Sequence, residues 1–155
     1  MQSFIYFIVR LLAGKHYVTK KIKAGMLLKY AIYQKIMRIN PKVPWPVHWT
    51  SQIKAPEKID RGTRFPGFSM GVYLDGRNGI SFGKNVWIGP KVSIVSQNHD
   101  LYDYTHYIKQ GPVKIGDNCW IASHAIILPG VELGPHSVVG AGAVVTKSYP
   151  EGDLV

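Results

Sequence analysis

An all-β solenoid, wound from six-residue units and preceded by a helical arm, is what this sequence predicts. Three observations carry that reading. From Ile115 the first positions of successive sixes are Ile115, Ile121, Ile127, Leu133, Val139 and Val145. The second positions are mostly small (Gly116, Ala122, Gly134, Gly140), and the fifth run Cys119, Ala125, Val131, Ser137, Ala143 and Tyr149. The same beat occurs upstream, faintly at Ile53, Ile59 and Phe65 and clearly at Phe82, Ile88 and Ile94. A period of six fits neither an amphipathic helix nor an ordinary alternating strand. It fits a parallel β-helix, in which each repeat is one short strand plus one turn. The aliphatic first position points inward and stacks under its counterpart, and glycine after it permits a tight turn. No single unit buries its apolar face alone, so the repeats must stack.

Taken in order, residues 1–12 (MQSFIYFIVRLL) are apolar but contain Arg10, and fall short of the roughly 20 residues a membrane span needs. They lack the basic start and the small-residue cleavage site of a secretory signal. Ile22 to Ile39 reads as a basic amphipathic helix with Ile22, Met26, Tyr30, Tyr33 and Met37 on one face. Such a helix either caps the open end of a solenoid or lies in a membrane interface. The run PKVPWPVHW, residues 41–49, is too proline-rich for helix and reads as an extended linker. Residues 1–50 are thus an arm and linker, and 51–155 the solenoid. The beat slips through PGFSMGVYLDGRNG and breaks again within SQNHDLYDYTHYIKQGP, because the step from Ile94 to Ile115 is not a multiple of six. The second break predicts a projecting loop at about 98–112, and a solenoid's insertions tend to carry its function.

Bulk properties narrow the classes. The chain has 155 residues, enough for one core, and a formal net charge of +10. That charge is one-sided. No acidic residue precedes Glu57, whereas Arg10, Lys15, Lys20, Lys21, Lys23, Lys29, Lys35, Arg38 and Lys42 are all basic. The arm therefore suits an anionic surface such as phospholipid headgroups, or simply forms a solvated face. No RNA- or DNA-reading motif occurs, so nucleic acid is not an expected partner. The single cysteine, Cys119, excludes an internal disulfide, and its fifth position predicts an inert, buried thiol.

The segments SQNHD, PVKIGDNCWIASHAIILPGVELG and VVGAGAVVTKSYPEG carry a resemblance over roughly residues 53–155. The chain resembles the hexapeptide-repeat acyltransferases, in the branch with maltose, galactoside and capsular polysaccharide O-acetyltransferases. That resemblance implies a left-handed β-helix, a homotrimer with sites between subunits, and acetyl-coenzyme A as donor, with no metal required. His99 matches the family's general base, and imidazole titrates near neutrality, as that role needs. Asp100 and Asp103 are candidates to orient its ring, as are backbone carbonyls. Trp120 would pack on the pantetheine, and Ser123 would supply a donor near the thioester oxygen. Ala141 and Gly142 would allow close approach, and Thr146 with Lys147 would reach the nucleotide end. His106 is a lesser pocket candidate, and His124 and His136 occupy outward positions. His16 and His48 have no constellation around them.

Two departures qualify the resemblance. The asparagine that maltose and galactoside enzymes carry one coil earlier is absent from FPGFSMGVYLD. Ser69, Tyr73 and Asp75, with Asn98, become the candidate acceptor contacts, and a different acceptor is expected. The chain also stops at Val155, before the family's usual Gly-Asn-Pro-Ala segment and tail. This implies a truncated form, or a coenzyme site that lacks its cover and leaves final strands open to pairing. The expected function is O-acetylation of a sugar or polysaccharide hydroxyl, in the cytoplasm or at the inner membrane face. Serine and antibiotic acceptors, and a truncated non-catalytic scaffold, stand as alternatives. A zinc hydratase is disfavoured, because the histidine spacings do not match its three-ligand set.

Overall fold

The computed structural model describes residues 2–19 and 22–155; Met1, Lys20 and Lys21 lie outside the described residues, as does the side chain of His16. Three parallel faces form the solenoid. Face one stacks β1 (Gln52–Lys54), β3 (Tyr73–Asp75), β6 (Ser93–Val95), β11 (Ile126–Ile127) and β14 (Val144–Val145). Face two stacks β2 (Ile59–Asp60), β4 (Ile80–Phe82), β9 (Val113–Ile115) and β12 (Glu132–Leu133), and face three stacks β5 (Trp87–Ile88), β10 (Trp120–Ile121) and β13 (Val138–Val139). The winding is that of a left-handed parallel β-helix. A last partial turn adds bridges from Leu133 to Tyr149 and from Val138 to Leu154.

Register explains both slips in the beat. In the late coils Ile127 pairs with Val145 and Ile121 with Val139, so that one coil is three sixes. One coil earlier, Ile94 pairs with Ile127 and Ile88 with Ile121, and the coil has grown to five and a half sixes. The excess leaves the coil between β6 and β9, as a hairpin of β7 (Asn98–His99) and β8 (Tyr107–Ile108). The first coils also exceed three sixes, with Ile53 paired to Leu74 and Leu74 to Ile94.

The first and fifth positions fill the interior as expected. Ile121, Ile127, Val139, Cys119 and Ala125 have no solvent exposure. The turns differ from expectation. The residue with left-handed backbone is the fourth of each six: Asn118, His124, Gly130, His136 and Gly142, with Asn85 and Lys91 upstream. His124 and His136 are therefore turn residues, of a type that tolerates this conformation better than most. The second-position glycines have another reason to be small. A Cβ on Gly116 would lie 2.6 Å from the backbone nitrogen of Pro135, and one on Gly89 would lie 2.7 Å from that of Ser123. Close stacking of one coil on the next requires them, rather than the turn itself.

The arm is two packed helices, α1 (Gln2–Ala13) and α2 (Ala24–Ala31), the latter widening into a π-turn over Ile32–Ile36. The expected helix from Ile22 to Ile39 is thus shorter, and its buried stripe is Ala24, Leu27, Tyr30 and Ala31; Met26 and Met37 face outward. Tyr30 stacks on Phe68 at 4.8 Å and donates its hydroxyl proton to the Phe68 carbonyl. Buried Gln34 donates to the carbonyls of Val43 and Trp45 and accepts from Tyr17 and Val47. The stretch expected to be a linker is a plug. Val43, Trp45 and Val47 join the solenoid core, and the Trp45 indole donates to the Pro66 carbonyl. Valine and tryptophan at alternate positions of this irregular stretch make it an apolar stopper for the solenoid core.

Candidate active site

His99 sits at the base of the hairpin, opposite Tyr107 in the antiparallel pair. Its Nδ1 lies 2.5 Å from the carbonyl oxygen of Tyr104. A carbonyl can only accept, so Nδ1 is assigned the proton and Nε2 is left as the basic nitrogen. The Tyr107 ring lies 4.5 Å from the imidazole, centroid to centroid, tilted by 43°. His99 itself is exposed.

The two aspartates do other work than orienting that ring. Asp100 accepts from the backbone N–H groups of Tyr102 and Asp103 and so shapes the hairpin tip. Asp103 accepts from Thr105 and pairs with His106 Nδ1 at 2.6 Å. Thr105 first, then His106, holds the Asp103 carboxyl below its usual range. The orienting group for His99 is a backbone carbonyl.

The acceptor candidates separate. Ser69 donates its hydroxyl to the Ile88 carbonyl, on the corner between faces three and one, and is committed there. Tyr73 is half-buried beneath the Lys54 ammonium. Asp75 is 1% exposed and gripped by the Arg77 guanidinium through contacts of 2.6, 2.9 and 3.1 Å. Burial alone would raise its carboxyl, but the hydrogen bonds and charge of Arg77, with Lys54 behind, hold it below its usual value. The carboxylate is thus committed to Arg77 and shielded from solvent. Asn98 pairs with Ile108 at the hairpin base, exposed beside His99.

A groove of about 620 Å³ lies against face two and includes Lys58, Asp60, Arg77, Asn78, Lys109 and Gln110. No sequence pattern pointed to it, because its residues meet only through the coil register. Another cavity, of about 260 Å³, lies between Arg61, Arg64 and Trp87, in the early coils. Gln97 was also missed: its Oε1 is shielded from solvent and has no hydrogen-bond partner among the described residues.

Apart from Trp120, the coenzyme candidates fall on two edges of face one. Ser123, Ala141 and Gly142 stack on the corner leading into it, where the Gly142 N–H donates to the Ser123 carbonyl. Thr146 and Lys147 follow β14 on the opposite corner, the one from which the hairpin with His99 leaves. Trp120 stands on the outer surface of face three, 55% exposed and in register with Trp87. Between the two edges, Ile126 and Val144 point outward from face one. One chain therefore holds His99 on one edge of face one and Ser123, Ala141 and Gly142 on the other. Cys119 is buried with its thiol aimed at the Gly134 carbonyl, and burial pushes its pKa up, as an inert thiol requires. No group of three or more His, Cys, Asp or Glu able to hold a metal ion forms among the described residues.

A regular coil of three sixes, with aliphatic, small and left-handed positions in phase, defines a hexapeptide-repeat protein. Residues 112–147 match the bacterial transferase hexapeptide family over six repeats. The galactoside O-acetyltransferase of Escherichia coli is 39% identical over 77 residues, covering 46% of this chain and 36% of that protein. A protein of Schizosaccharomyces pombe named as a putative acetyltransferase is 45% identical over 78 residues, covering 48% and 38%. These matches span less than half the length of the relatives. Among solved structures, a galactoside acetyltransferase in complex with coenzyme A shares the fold at a TM-score of 0.57 and 21% identity, covering 96% of this chain and 74% of that one. A hexapeptide-repeat acetyltransferase of Vibrio cholerae complexed with acetyl-coenzyme A gives 0.54 and 23%, covering 96% and 78%.

Proposed function

We propose that the protein transfers an acetyl group from acetyl-coenzyme A to a hydroxyl of a sugar or polysaccharide intermediate, with His99 as general base. The observation that carries this reading is the imidazole itself, exposed, with Nδ1 held by the Tyr104 carbonyl and Nε2 without a hydrogen-bond partner among the described residues. The acceptor O–H gives its proton to Nε2 as the oxygen attacks the thioester carbonyl. The tetrahedral intermediate collapses, the C–S bond breaks, and the leaving thiolate takes the proton back from the imidazolium. His99 ends as it began. A backbone N–H or hydroxyl at Ser123 would stabilise the charge on the former carbonyl oxygen. Trp120, Ala141, Gly142, Thr146 and Lys147 would hold the coenzyme.

The split of these residues between two edges of face one supports a homotrimer, in which the hairpin of one subunit meets the other edge of its neighbour. The exposed Ile126 and Val144 between them give such an interface an apolar surface. The groove beside the hairpin base supports an acceptor larger than a single hydroxylated carbon. The basic arm supports work at an anionic membrane surface on the cytoplasmic side. No helix among the described residues is long and apolar enough to cross a membrane.

Thiol release from acetyl-coenzyme A, measured across sugar hydroxyls, serine and hydroxylated antibiotics, tests the reading. Release that depends on a sugar acceptor supports it; release with serine or an antibiotic alone moves the acceptor to another class. No release with any acceptor would favour a non-catalytic scaffold. Unchanged liposome binding after deletion of residues 1–40 would remove the membrane part.

A further inference from the structure

We propose that Arg77, fixed by buried Asp75, is a positioning residue for His99 and acts through the ring of Tyr107. The inference rests on His99 being the base. The hairpin has only two residues in each strand, and its tip residues Leu101, Tyr102 and Tyr104 are exposed. A ribbon that short does not hold its own geometry in water. What holds it comes from the turn after β3. The Asn78 amide donates to the Ile108 carbonyl at 3.0 Å, and its backbone N–H donates to Ser96 Oγ at 2.8 Å. Next to it, the Arg77 guanidinium lies 5.2 Å from the centroid of the Tyr107 ring, which in turn lies 4.5 Å from that of His99.

The order Asp75, Arg77, Tyr107, His99 is thus a continuous line of contacts from the coil to the base. A carboxylate that is 1% exposed is costly to bury and persists only with a good partner. Here the partner is locked on two sides, since the Arg77 backbone N–H also donates to Asp75 at 3.2 Å. The side chain of Arg77 remains 36% exposed, so the pair fixes the turn while leaving the guanidinium beside the aromatic ring. A planar, multiply donating guanidinium grips a carboxylate and lies against a ring together, which an ammonium does less completely. With Tyr104 fixing Nδ1 and Tyr107 set against the ring, the imidazole is held at both edge and face.

The test compares the full chain with Arg77→Met, Arg77→Lys, Tyr107→Ala and the charge-balanced Asp75→Asn/Arg77→Met, which avoids an unpaired buried carboxylate. Steady-state kinetics and the side-chain resonances of ¹⁵N-histidine-labelled protein are read together, with the His99 signals identified by their loss in His99→Gln. Expected are a fall in kcat of roughly 10- to 100-fold with KM for acetyl-coenzyme A within about twofold. The His99 imidazole signals should shift or broaden in Arg77→Met, in Tyr107→Ala and in the double variant, and return partway in Arg77→Lys. Unmoved His99 signals in folded Arg77→Met or in the double variant would overturn the positioning role whatever the activity. Full transfer by His99→Gln would instead overturn the base assignment beneath it.

Discussion

The late coils and the stretch before them are built by different rules. From residue 112 onward each coil takes three sixes, with aliphatic, small and left-handed positions in strict phase. Between residues 52 and 111 the coils run longer, a charged side chain, Asp75, is buried, and a whole hairpin leaves the coil. Regularity provides the frame, because every repeat reinforces its neighbour. On the proposed reading irregularity provides the chemistry, since His99, Arg77 and the groove all lie where the phase fails. In such a fold a break in period is the place to look for function.

That contrast can be broken or sharpened by substitution. Ile121→Ala, in the fully buried row of the late coils, should cost about 2–5 kcal/mol in urea unfolding. Ile53→Ala, half-buried in the first coil, should cost clearly less, and equal losses would erase the distinction. Two glycines a few repeats apart separate stacking from turn conformation. Gly116→Ala pushes a methyl into the next coil's backbone and should cost about 1–3 kcal/mol or more. Gly142→Ala meets no atom within 4 Å but sits at φ +74, so its cost should be about 1–2 kcal/mol.

The early stretch should also carry an acid sensitivity centred on Asp75. The Asp75 carboxyl is held below its usual value in the fold, so its contribution is complete at neutral pH and is lost as pH falls through that lowered value. Arg77→Met should lower stability by about 1–3 kcal/mol at pH 7, less than for a fully buried pair because Arg77 is partly exposed. The gap to the parent should then narrow below about pH 4, the ordinary carboxylate range. A gap independent of pH in the acid range would assign the loss to packing alone. At the small end, the exposed pair Lys114–Glu132, 3.4 Å apart, should contribute less than about 1 kcal/mol in a double-mutant cycle.

Much of this was legible in the sequence, and the reason is periodicity. The inner row, the buried Cys119 and the projecting loop after Ile94 follow from counting sixes, because the step from Ile94 to Ile115 is one six plus the hairpin. What was not legible depends on pairing across coils. The role of Asp75 could not be read, because its partner is set by the geometry of the turn after β3. Nor could the need for Gly116 be assigned correctly, since the atom it avoids belongs to Pro135 in the next coil. The apolar plug at Val43, Trp45 and Val47 was hidden behind its prolines, which spoke for extension but not for burial. At the candidate site, the resemblance and the phase break pointed to His99, whereas the group that contacts its Nδ1 is a backbone carbonyl and so has no signature in the sequence.

Coenzyme binding, on this reading, belongs to the regular coils and proton transfer to the hairpin. Calorimetric titration of coenzyme A into the parent and into His99→Ala, run beside acceptor-dependent thiol release, tests that division directly. The expected result is an unchanged Kd for coenzyme A, with release falling by about 10²- to 10⁴-fold in the variant. Release that survives in His99→Ala, or binding and release that disappear together, would contradict it.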